Sequence, residues 1–139
     1  MRIPPLAPKP GNRFPGARQP SLQAASIEAL VERYREASAK HGLLLDALKT
    51  RAANKEYGRV IAIEKELRSR GAQSHACLLR LLGDSAPGTR FWAASAVLGF
   101  ASPEGERVLA ELATPPLSLI GLSAAVLLDA WKDGTYKPR

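Results

Sequence analysis

Displacing the chain by thirty-one residues lays Cys77 to Phe100 over Val108 to Trp131, with matching character at the positions that would be buried. Leu78 falls on Leu109, Leu81 on Leu112, Ala93 and Ala94 on Ala124 and Ala125, and Val97 on Leu128. A helical hairpin repeating at this period cannot cover its own apolar side, so copies must stack and share one continuous core. The repeat predicts an α-solenoid fragment, without strands in the second half and without closure around a single centre.

Apolar periodicity extends that reading to six helices. Ser26 is placed to cap the first, where Ile27, Leu30, Val31, Tyr34, His41, Leu44, Leu45 and Leu48 recur at spacings of one helical face. The second is expected from Asn54 or Lys55 to Arg70, with Tyr57, Val60, Ile61 and Leu67 inward and Gly71 ending it. Helix three is expected over 72–82 and helix four over 87–101. Helix five is expected over 103–113 behind Ser102, and helix six over 117–132, stopped by Gly134. Connections of two to five residues make neighbours antiparallel. The expected fold is all-α, a short superhelix of three antiparallel hairpins spanning residues 26–139.

Residues 1–25 differ in kind. Six prolines and two glycines exclude a continuous helix or strand, so this stretch reads as a flexible Pro/Arg-rich tail. It also carries Arg2, Lys9, Arg13 and Arg18 with no acid, which is +4 of the net charge of +7. Residues 26–70 hold ten bases against seven acids, and residues 71–139 hold six of each. Any electrostatic footprint therefore belongs to the tail and the early helices. The prolines deny the tail the apolar run of a secretory signal. Pro115 and Pro116 break the longest uncharged run, Leu112 to Leu128, so no membrane span is expected. With one cysteine, Cys77, a cytoplasmic location is the expectation.

The stretch LLRLLGDSAPGTRFWAASAVLGFASPEGERVLAELA, Leu78 to Ala113, resembles the HEAT repeat pattern. It has a leucine-rich first helix, an Asp in the turn, an Arg followed by paired alanines, and a Pro-Glu opening to the next unit. From about Ile27 to Pro138 the chain also resembles the bacterial domain of unknown function number two-thousand-and-nineteen. The residues that carry this likeness are the long first helix, Glu66-Leu67-Arg68-Ser69-Arg70-Gly71 and the terminal Gly134-Thr135-Tyr136-Lys137-Pro138. The resemblance implies short HEAT-like repeats and carries no activity with it. Relatives are expected near bacterial toxin genes, which implies an immunity or regulatory partner as one role. The chain departs from the pattern at Gly121, where the equivalent of Arg90 should stand, and in its basic tail.

No residue set points to catalysis. His75 and Cys77, two positions apart on one helix, face away from each other. His41 and His75 lack a third ligand at metal spacing, so neither a metal nor another cofactor is expected. Asp84 and Arg90 occupy the turn-tying positions of a HEAT-like unit, which makes them structural. Glu64, on the inward side of helix two, is the one carboxylate to watch.

Two surfaces are candidates for binding. Trp92 aligns with Ser123 and shares a helix face with Ser95, Ala96 and Gly99, so a groove centred on Trp92 near Lys55 and Arg59 is expected. The alternative is that Trp92 packs under the tail or against helix two. On helix six, Leu119, Leu122 and Val126 form a second apolar stripe where a further repeat would stack. That stripe predicts a homodimer contact, a partner contact, or cover from either end of the chain. The leading expectation is a non-enzymatic protein-interaction module whose partner is a toxin or a second copy. The alternative is a nucleic-acid-binding protein that uses the tail and helix two.

Overall fold

A computed structural model describes residues 21–115 and 118–138. Six helices follow in order: α1 (Ile27–Asp46), α2 (Thr50–Ser69), α3 (Ala72–Leu81), α4 (Pro87–Val97), α5 (Ser102–Leu112) and α6 (Leu119–Lys132). No strand occurs among the described residues, so the fold is all-α. The displacement by thirty-one residues carries α3 onto α5 and most of α4 onto α6. Leu78, Leu109, Ala93, Ala124 and Val97 are all buried, as the repeat requires.

Local chemistry explains the helix ends. The Ser26 hydroxyl accepts the Ala29 N–H at 3.1 Å, capping α1 as the sequence predicts. Ser102, by contrast, is the first helical residue of α5 and makes no cap. The α1–α2 turn is a Schellman closure in which the Lys49 N–H reaches the Leu44 carbonyl at 2.9 Å. Its left-handed position is held by Leu48, at φ 62°, where glycine is the usual occupant.

One apolar core draws on all six helices, and the hairpins α1–α2, α3–α4 and α5–α6 pack in contact with one another. This is compatible with a short superhelix. The first hairpin is not a third copy of the repeat, however: α1 lies against α4 and also reaches α6, while α4 and α6 touch each other. The α1–α4 crossing is close because glycines face each other there. A Cβ on Gly42 would stand 2.9 Å from Gly88 Cα, and one on Gly88 would run into the Ser38 carbonyl. Beside them the Ser38 and Thr89 hydroxyls share a hydrogen bond of 2.9 Å, so the crossing is bonded as well as packed. Asp46, the last residue of α1, accepts the Leu119 N–H at 2.9 Å and the Ile120 N–H at 3.3 Å. The first helix thereby caps the last.

The packed part of the chain starts before residue 26. Ala25 is buried, and Leu22 lies against the core. Arg70 donates to the carbonyls of Leu22, Gln23 and Ala25 at 3.1, 3.2 and 2.9 Å. Residues 22–25, expected in the tail, are therefore packed on the helical fold, because a guanidinium satisfies the turn's carbonyls. The remainder of the expected tail, residues 1–20, lies outside the described residues, as does Leu117.

Candidate functional site

Leu119, Leu122 and Val126 come together as the sequence predicts. They line an open apolar groove of about 540 Å³ with Leu45 of α1, Phe91 of α4 and Tyr136 of the C-terminal segment. The groove exists because α1, α4 and α6 meet pairwise and their side chains do not fill the junction. The inward stripe of α6 is used up in packing: Ile120 and Ala124 are buried, and Leu127, Leu128 and Trp131 are partly so. The outward stripe is not, for Leu122 is 46% and Val126 68% exposed. The C-terminal segment covers one edge only. The Tyr136 N–H donates to the Ala130 carbonyl at 3.0 Å, which folds the segment back beside the groove.

The same side of α6 ends in carboxylates. Asp129 and Asp133 follow Val126 at three and seven residues, so they extend the stripe by the neighbour relations of a helix face. The Thr135 hydroxyl and N–H both donate to Asp133 and hold its carboxyl below the ordinary value. The lining of the groove itself is apolar, and the two carboxylates stand outside it on the neighbouring surface of α6.

Trp92 corrects an expectation. It is 2% exposed and lines no open groove. Its indole N–H donates to His41 Nδ1 at 3.1 Å, and its ring meets Tyr57 and Phe91 edge-on. The repeat suggested an exposed indole because Ser123 stands in the equivalent place, but α1 covers α4 and has no counterpart over α6. Burial lowers the pKa of His41, and nearby Glu56 opposes that shift only partly. Lys55 and Arg59 stay on the surface of α2, with Arg59 bonded to Glu56 at 3.1 Å, whereas Trp92 is buried.

Glu64, Asp84 and Arg90 are engaged in structure. Glu64 is 1% exposed and accepts from the Tyr34 hydroxyl at 2.9 Å and from Arg68 at 2.6 Å. The carboxylate to watch is therefore an α1–α2 tie. Asp84 and Arg90 do tie neighbouring elements, though not to each other. Asp84 accepts from Arg35 of α1 at 2.9 Å and from the Ala86 N–H at 3.0 Å. Burial alone would raise its carboxyl, but the Ala86 N–H and Arg35 together hold it below the ordinary value. Arg90 joins the Leu82 carbonyl to Glu111 of α5. Among the described residues no cluster of three or more His, Cys, Asp or Glu is placed to hold a metal. None of the described helices is long and apolar enough to cross a membrane.

The family model described as "Domain of unknown function (DUF2019)" matches residues 28–131. The chain belongs to the DUF2019 family. A crystal structure of the protein RPA1889 from Rhodopseudomonas palustris CGA009 is similar to it, at 22% identity and a TM-score of 0.77. The alignment covers 87% of this chain and 100% of that one, a likeness of fold. No curated protein matches. Within this DUF2019 chain the residues singled out at the end of α2 have visible roles. Glu66 pairs with Arg70 at 2.9 Å, Arg70 holds the turn before α1, and Gly71 takes a φ of 79° that a side chain would disfavour. The terminal Gly134 to Pro138 lies past the matched span and forms the edge of the groove through Tyr136.

Proposed function

We propose that this protein is a non-enzymatic interaction module of HEAT-like hairpins, acting in the bacterial cytoplasm in the manner of an immunity or regulatory protein. Its docking surface is the groove between α1, α4 and α6. The observation that supports this is the exposure of Leu122 and Val126 beside a concave apolar wall, since such surfaces bind other proteins. The titratable groups best placed for chemistry, Glu64 and His41, are committed to hydrogen bonds inside the fold. The occupant we assign is a segment of another protein with apolar side chains at one end and basic residues at the other. It would set its apolar part against Leu122 and Val126 and its charge against Asp129 and Asp133.

Selection of a random peptide library on the folded protein tests the assignment. The expected result is enrichment of apolar sequences that end in Lys or Arg, lost on Val126→Glu and weakened on Asp129→Lys. Equal enrichment on Val126→Glu would overturn the site. A stable dimer in light scattering, abolished by Leu122→Glu, would replace the assigned occupant with a second copy.

A further inference from the structure

The charges of α2 are sorted by the fold. Its three carboxylates are all withdrawn: Glu56 and Glu64 are buried, and Glu66 is paired with Arg70. Arg51, Lys55 and Lys65, like Lys49 in the preceding turn, are exposed and have no carboxylate within ion-pair distance among the described residues. At about 100° per residue, Arg51, Lys55, Arg59 and Lys65 fall within an arc of about 120°. At about 1.5 Å per residue, Arg51 and Lys65 are about 21 Å apart along the axis. The residues between them on that face, Gly58 and Ala62, are small and exposed, so a flat charged partner can approach the backbone closely.

The turn that precedes α1 packs against this same helix. Leu22 shares a shallow cleft with Arg33, Arg59, Ala62 and Ile63, and Arg70 clamps the turn at residues 22–25.

We infer that the outward face of α2 binds the phosphate backbone of a nucleic acid, without reading bases. Duplex DNA presents a negative charge about every 1.7 Å of its axis, so 21 Å of it offers about a dozen phosphates to this row. An anionic membrane fits the face less well, because its outward arc carries no large apolar side chain to insert between lipids. A protein partner fits it less well for the same reason, since interface anchors are aromatic or aliphatic. The site is separate from the α1–α4–α6 groove and stands whether or not that groove binds protein.

The test is fluorescence anisotropy of a labelled 20-base-pair duplex with the full chain over a series of salt concentrations. Wild type should bind at low salt, with log K falling against log salt at a slope of about −3 or steeper, as four phosphate contacts require. The Arg51→Glu, Lys55→Glu, Lys65→Glu triple variant should lose tenfold or more in affinity, and its slope should flatten by about two to three. These residues are exposed and unpaired, so circular dichroism and the unfolding midpoint should be unchanged. If the reversals unfold the protein, the triple Gln variant gives the same reading. Three results would overturn the inference: no binding of duplex at about 50 mM salt, binding unaffected by the triple variant, or binding to phosphatidylserine vesicles in place of duplex.

Discussion

His41 accepts a hydrogen bond from the Trp92 indole through Nδ1, and that nitrogen cannot carry a proton while it does so. Burial also lowers the pKa of His41 below its ordinary 6.5. The unfolded chain therefore takes up a proton near pH 6.5 that the folded chain refuses. The stabilising contribution of this pair is complete above that pH and declines as pH falls toward the lower folded value. The urea midpoint should drop between pH 7.5 and pH 5, a range chosen to stay above the carboxylates. A His41→Asn variant, whose side-chain oxygen can still accept from Trp92, should show a shallower dependence. Equal slopes in the two proteins would remove His41 from the account. At this scale the sequence was informative about residue type and poor about environment. Trp92 was conspicuous as a large side chain among small ones, yet whether it faced solvent depended on which helix lay above it. Its neighbour there, His41, is fifty-one residues away in the chain.

The elements were legible to the extent that they are repeated or amphipathic. The α3–α4 and α5–α6 hairpins followed from the periodic Leu, Val and Ala positions, and the apolar stripe of Leu119, Leu122 and Val126 was legible for the same reason. The expected start of α2 falls four or five residues beyond the observed one because Thr50 to Asn54 bury only Ala53. A turn without large apolar residues gives no periodic signal. The α1–α4 crossing was not legible at all, since Gly42, Ser38, Gly88 and Thr89 do not look like core residues, although they set the distance between two helices. The α1–α2 turn offers a prediction at this scale. Leu48 occupies a left-handed position while 76% exposed, so its side chain contributes strain and little burial. Leu48→Gly should stabilise the protein by about 1 kcal/mol, a gain of several degrees in thermal midpoint. A loss of stability would mean that the exposed leucine makes a contact worth more than the strain.

Whole-molecule behaviour follows from α1 touching α2, α4 and α6 within one core. Linear repeat arrays contact only their neighbours, and their ends fray independently of their middles. Here the helix that opens the fold also caps the helix that closes it, through Asp46. Urea unfolding followed by far-ultraviolet circular dichroism and by Trp92 fluorescence in a Trp131→Phe background should give superimposable transitions. Separated transitions would show the hairpins acting as independent units.

The clasp between the two ends of the fold also bears on its evolution and design. Most stacked-hairpin proteins lengthen by duplicating an internal unit, since each new copy finds the same surface waiting. Inserting a hairpin here between α4 and α5 would carry the start of the final helix away from Asp46 and leave two backbone amides without their acceptor. Growth by one unit would therefore have to begin with a new closure, and the length of this module is set by the reach of its first helix.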